Sequence, residues 1–143
     1  MASTEHDHLK EAAKLFFEKA GTVECPAFPK EEIIFNSKGC EHLFYKGSRK
    51  ARKPKQSKMR ISLLPSALII LKKLSLFQEE RILSDNKGRT IHYWAFEGVV
   101  EERRIKVIVR QVGKGKKHFW SVIPSWKNFD GKRVNIKSKF WKE

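Results

Sequence analysis

The chain is poor in cysteine, has no long apolar run and carries few acids over most of its length. Its 143 residues include two cysteines, Cys25 and Cys40. That is too few for a disulfide framework and too few for the four ligands of a structural zinc site. Both thiols are expected to be free, as in a reducing compartment. No apolar stretch approaches the roughly 20 residues of a membrane-spanning helix; the run Leu63–Leu71 is broken by Pro65 and Ser66. The opening MASTEHDHLKEAAKLFF is acidic before it is apolar, which does not fit a secretory signal. A cytoplasmic protein without a membrane partner is the expectation. Phosphate-binding and hydrolase signatures are missing as well. Gly113-x-Gly115 lacks the lysine-serine helix start of a phosphate loop, and there is no Gly-x-Ser-x-Gly elbow. The basic part has no acidic cluster to hold magnesium. His6-Asp7-His8 sits in the acidic leader, where adjacent helical residues diverge. No metal and no cofactor is expected.

What the chain has in excess is positive charge. Lys and Arg number 31 against 16 Asp and Glu, a net +15 with a pI near 10.0. Residues 1–34 hold 4 basic and 7 acidic groups, leaving 27 basic and 9 acidic groups in the rest. Charge therefore divides the chain into an acidic amphipathic leader and linker, 1–30, and a basic α+β domain with a basic tail, 31–143. The stretch Tyr45–Arg60, YKGSRKARKPKQSKMR, carries eight Lys or Arg and no acid. A body of this sign calls for an anionic partner, most simply a nucleic acid.

Periodicity gives the elements. Over 4–20, Leu9, Ala12, Ala13, Phe16, Phe17 and Ala20 recur at three-four spacing, predicting a helix capped by Thr4 and stopped at Gly21. Ile33–Asn36 reads as a short strand followed by a turn at Ser37-Lys38-Gly39, and His42–Lys46 as a second strand. The basic stretch reads as a loop as far as Arg60. Residues 64–74, LPSALIILKKL, predict a buried helix with Pro65 in its first turn, with Leu68, Ile69 and Leu71 inward. Glu80–Leu83, Thr90–Val100, Arg103–Val112 and His118–Pro124 are β-branched and aromatic runs separated by short polar turns. Trp126, Phe129, Phe140 and Trp141 would anchor the tail. The expected class is α+β, an N-terminal helix and a central helix packed on a small antiparallel sheet.

Alternation then selects faces. In Arg103–Val112, Ile105, Val107 and Val109 share one face, and Arg104, Lys106, Ile108 and Arg110 the other. In His118–Pro124, Phe119, Ser121 and Ile123 alternate with His118, Trp120 and Val122. A sheet face bearing cations and rings suits RNA, phosphates meeting the cations and bases stacking on the rings. His42, in GCEHLFYKG, is a candidate general acid or base because imidazole titrates near neutrality; His92 and His118 are rivals, each equally readable as a packed strand residue.

The motifs Glu41-His42-Leu43, Lys58/Arg60, Val107-Ile108-Val109-Arg110 and Phe119-Trp120-Ser121-Val122-Ile123-Pro124 follow one another in a familiar order. Over about 32–124 the chain resembles the metal-independent RNases and toxins of the barnase, EndoU, colicin and RelE-like fold, especially their phage-encoded and polymorphic-toxin members. The resemblance implies a metal-independent endoribonuclease acting as a toxin, with RNA as substrate and an acidic antitoxin or immunity protein as a partner. In such chemistry the 2′-hydroxyl of RNA attacks the adjacent phosphate. His42 would move the proton, Arg60 and Arg110 would neutralise the phosphate, and Ser121 would donate a hydrogen bond to it. RNA would be held by Lys46, Arg49, Lys50, Arg52, Lys53, Lys55 and Lys58 of the basic stretch. Lys106 on its strand, Lys114, Lys116 and Lys117 at the hairpin tip, and Trp120 as a stacking ring would extend that surface. A non-catalytic RNA- or DNA-binding module is the alternative, since the same basic face suffices for it.

Overall fold

The computed structural model describes residues 5–46 and 50–125, with the side chains of Glu5, His6, Lys46 and Lys50 outside that description. The proposed cap at Thr4, the cation Arg49 and the aromatic anchors Trp126, Phe129, Phe140 and Trp141 lie outside the described residues. In chain order come α1 (Glu5–Ala20), β1 (Thr22–Glu24), β2 (Glu32–Ile34), α2 (Ser37–His42), β3 (Tyr45–Lys46) and β4 (Lys50–Ala51). They are followed by α3 (Pro54–Ser62), α4 (Leu64–Lys73), β5 (Glu79–Ser84), β6 (Thr90–Val100), β7 (Arg103–Val112) and β8 (His118–Pro124).

Six strands form one sheet in the order β1-β2-β8-β7-β6-β5, and β3 and β4 make a separate ribbon. The expected antiparallel meander is present in β5 to β8, but the whole sheet is mixed. Strand β2 runs parallel to β8 and pairs with it at Ile34↔His118. The chain leaves β2, makes three helices and five strands, and only then returns beside it as β8. A connection that long permits a parallel neighbour, which a tight hairpin does not.

Helices cover one face of the sheet. Trp94 and Phe96 of β6, Ile105, Val107 and Val109 of β7, and Phe119 and Val122 of β8 are buried there with Leu64, Ala67, Ile70 and Leu71 of α4. Phe119 stacks on Phe35 at 4.8 Å and meets Phe17 of α1 edge-on at 5.6 Å. Charge and packing thus divide the chain differently, because Ala13, Phe17, Val23, Cys25 and Phe28 of the acidic leader share this core. On α4, Leu71 is buried and Leu68 partly so, but Ile69 is 39% exposed. One side of that helix faces water even though its sequence is apolar nearly all round.

Two expectations fail between 37 and 62. The turn and strand expected at 37–46 are instead helix α2 followed by a two-residue strand. Asn36 caps α2, its Oδ1 accepting from the Lys38 and Gly39 amides at 3.1 and 3.3 Å. Gly39, which reads as a turn residue, serves close approach: a Cβ there would lie 2.1 Å from the Phe119 carbonyl oxygen. The basic loop is in fact helical over α3, with Pro54 in its first turn, where its missing N–H costs no intrahelical bond. Ser57 and Arg60, one turn apart, are its buried face.

Gly39→Ala gives a clear test of this packing. Alanine ordinarily stabilises a helix interior by about 0.5–1 kcal/mol over glycine. Here it must push α2 off β8, and we expect a loss of about 1–3 kcal/mol, read as a lower urea midpoint at unchanged slope.

Candidate functional site

The site is built on an irregularity in β8. Phe119 pairs with Val109 and Ser121 pairs with Ile108, so Trp120 is the extra residue of a β-bulge. The bulge overturns the simple alternation expected for this strand. Phe119 and Val122 face the helices, while His118 and Ser121 pair with Arg110 and Ile108 on the opposite face. Trp120 joins the Tyr93, Ala95 and Ile108 cluster of that face. His118, Trp120 and Ser121 therefore all belong with Arg110, which a regular strand would not allow.

His42, at the C-terminal end of α2, stacks on the Trp120 indole with centroids 4.0 Å apart and planes at 19°. Arg110 lies over the same indole, its guanidinium carbon 3.6 Å from the ring centroid. Arg52 clamps His42 twice, Nε donating to the His42 carbonyl at 2.9 Å and Nη2 lying 3.2 Å from the ring Nε2. A guanidinium can only donate, so Nε2 is the acceptor and the ring proton of His42 is assigned to Nδ1. Arg60, from the buried face of α3, donates through Nη1 to Ser121 Oγ at 2.6 Å. With its oxygen accepting that bond, the Ser121 hydroxyl hydrogen is left to donate elsewhere. The structure thus brings together the four residues singled out for chemistry, His42, Arg60, Arg110 and Ser121, around Trp120 and its neighbour in β8.

The electrostatics centre on Arg110. Burial lowers the guanidinium from its ordinary value, opposed by the facing Tyr93, whose hydroxyl oxygen accepts from it, but arginine stays charged. Its Nε donates to His118 Nε2 at 3.1 Å, which assigns the His118 ring proton to Nδ1. Burial, followed by the Arg110 and Lys38 charges, holds His118 down at about 4 against a backbone bond to Lys116 that opposes it. His118 is accordingly neutral at pH 7. Among the described residues, the groups against Arg110 are Tyr93, His118 and Trp120, with the Arg89 charge also felt there, and none is a carboxylate. The Trp120 Nε1–H is buried and has no acceptor among the described residues. An underpaired cation beside an unmet donor is a place for an anion that can also accept hydrogen bonds.

The remaining candidates separate into structural and surface cations. Arg52 is 6% exposed and held against His42, so it is part of the cluster and not an outward-reaching contact. Lys106 is 1% exposed and ion-paired with Glu79. Lys117 is buried, pairs with Glu31 at 2.9 Å and sits against the Phe28 and Trp94 rings. Neither lysine is an outward RNA contact in this structure, because both ammonium groups are spent inside the protein. Lys53, Lys55, Lys58, Lys114 and Lys116 are exposed; Lys46, Arg49 and Lys50 have side chains outside the described residues. Cys25 and Cys40 are free thiols. Among the described residues no three His, Cys, Asp or Glu gather as metal ligands would, and no helix is long and apolar enough to cross a membrane. Sequence reasoning missed Tyr93 and the clamp role of Arg52. The pairing of a tyrosine with Arg110 follows only from the β6–β7 register.

His118 carries a pH signature. Its ordinary value is 6.5 and its native value about 4, so between them the unfolded chain binds the extra proton and stability rises with pH. The contribution is present above about 6.5 and lost as pH falls towards 4, by up to ~3 kcal/mol at 1.36 kcal/mol per unit. Urea midpoints measured from pH 7 to 4 should fall less steeply in His118→Asn than in the unaltered protein.

No protein-family model, no curated protein and no solved structure matches this chain.

Proposed function

We propose that the protein is a metal-independent endoribonuclease of the toxin type, cleaving RNA by attack of the 2′-hydroxyl on the adjacent phosphate. The observation that carries this reading is the sharing of one indole by two complementary groups. His42 is an imidazole with its tautomer fixed by Arg52, and Arg110 is a partly buried cation whose partners among the described residues are neutral. A phosphodiester supplies the missing anion for Arg110 and an acceptor for the Trp120 N–H. In this scheme the bound strand displaces Arg52 from His42 Nε2, whose freed lone pair takes the proton of the 2′-hydroxyl, and the imidazolium so formed gives a proton to the departing 5′-oxygen. Arg60 and Arg110 stabilise the charge that builds on the phosphorane, where fixed donors count for most. Ser121 donates its free hydroxyl hydrogen to a phosphate oxygen. The exposed lysines of α3 and of the 113–117 tip guide the rest of the strand. The resemblance to barnase, EndoU, colicin and RelE-like toxins supports the same reading, and with it an acidic antitoxin or immunity protein as partner and the cytoplasm as the place of action.

The test is incubation with single-stranded RNA in the presence of a chelator. Cleavage should persist with chelator and stop on a strand carrying 2′-deoxyribose at the scissile position. His42→Ala and Arg110→Ala should each lose about 10²–10⁴-fold in rate, the usual worth of a positioned proton-transfer group or of a charge-stabilising donor. RNA that is bound in a salt-dependent way but left uncleaved would favour the binding-module alternative.

A further inference from the structure

A cleft lies beside α2, the helix that carries His42. Set between α1 and α2, it has a volume of about 480 Å³, within the size range of small-molecule sites. Its walls are rings: Phe17 and Phe35 meet edge-on at 5.4 Å, and Phe44 and Tyr45 flank them. Cys40 opens onto it. The rim is polar and of both signs. Helix α1 presents Lys10 and Lys14, one turn apart, and then Glu18; the α2 side presents Asn36, Ser37 and Glu41. Lys10 is drawn inward, donating to the Tyr45 hydroxyl at 3.0 Å, with its ammonium 5.2 Å from that ring. Asn36 has its Oδ1 committed to the α2 cap, so it offers a ligand its NH₂ donors.

This combination narrows the occupant. An acyl chain or an aliphatic side chain would use the ring walls but leave two ammonium groups, two carboxylates, an amide and a hydroxyl facing hydrocarbon, at a cost in desolvation. A planar heterocycle with donors and acceptors along its edge and a phosphate attached uses both. The buried rings give the base an apolar floor, with half-buried Tyr45 at its side, Glu18 and Glu41 accept from its N–H groups, Asn36 donates to its acceptors, and the lysines meet the phosphate. The position agrees. Glu41, on the cleft, directly precedes His42, which stacks on Trp120, so one short helix separates the cleft from the Arg110 cluster. We propose that the α1–α2 cleft is a nucleobase subsite that seats the base of a nucleotide flanking the phosphate at Arg110. This assignment rests on the RNA reading of that cluster.

Cys40 provides a readout independent of cleavage. The full chain is treated with iodoacetamide at alkaline pH, with and without a short single-stranded RNA carrying 2′-deoxyribose at the scissile position. RNA binding is followed in parallel by fluorescence anisotropy. Cys25, buried in the core, serves as the internal reference. RNA at ten times its Kd should slow Cys40 modification about tenfold, because the free fraction falls as 1/(1 + [L]/Kd). Lys14→Glu, on an exposed position, removes a charge that helps hold the Cys40 thiol down, so the unprotected rate should fall; relative to that variant's own unprotected rate, it should raise the RNA concentration needed for protection. RNA that binds but leaves the Cys40 rate unchanged overturns the subsite while leaving the RNase reading intact. Equal protection by indole, with none of the polar edge of a base, overturns the nucleobase assignment. An absence of RNA binding removes the underlying RNA reading, and the subsite with it.

Discussion

Trp120 is forced out of the strand ladder by a β-bulge, and its indole is the surface on which His42 and Arg110 both pack. Without the extra residue, β8 would keep strict alternation and Ser121 could not share a face with both His118 and Arg110. With it, one strand delivers a histidine, an indole and a hydroxyl to the same side of the sheet. Helix α2 reaches that position because Gly39 has no side chain to hold it away from the Phe119 carbonyl. The cluster therefore depends on two local departures from regular packing, a residue inserted in the strand and a side chain omitted from the helix.

The protein's large positive charge is not a uniform coat. Lys106 and Lys117 are buried against carboxylates and rings, and Arg52 and Arg60 hold His42 and Ser121 in place. Lys55 and Lys58 of α3 and Lys114 and Lys116 of the hairpin tip remain in water. Arg110 stands between these classes, desolvated enough for its charge to be felt and matched by neutral groups among the described residues. The neutral state of His118 belongs to the same arrangement. Held down at about 4, it accepts from Arg110 without adding a second cation beside it.

Much of the fold is legible in the residues themselves. The four-strand meander and α4 follow from β-branched runs, turn residues and the placement of Pro65, and Ile105, Val107 and Val109 are buried as alternation requires. The stretch from 37 to 62 is not legible in the same way. Gly39 and Pro54 are turn-forming residues in isolation, yet one admits a close helix–strand contact and the other occupies a helix first turn. A signal for α3 existed in its straight-chain Lys, Gln, Met and Arg residues, good helix formers following a proline. The bulge had no such signal. Nothing in HFWSVIP marks Trp120 as the inserted residue, and its position is fixed only by pairing with β7. The convergence of His42, Arg60, Arg110 and Ser121 was accessible as a pattern of residue types. The positioning by Arg52, Tyr93 and His118 was not, because it arises from register and tertiary contact.

The central claim is that the Arg110 guanidinium, stacked on Trp120, receives the phosphate of an RNA strand. It is tested most directly by side-chain ¹⁵N NMR of the arginine Nε–H groups, with Arg110 assigned through Arg110→Lys. The probe is an RNA dinucleotide made uncleavable by 2′-deoxyribose at its 5′ residue. The account predicts that the Arg110 Nε–H resonance shifts in a saturable way on titration, together with the Trp120 indole N–H. Saturable binding of the dinucleotide with both resonances unmoved would contradict it.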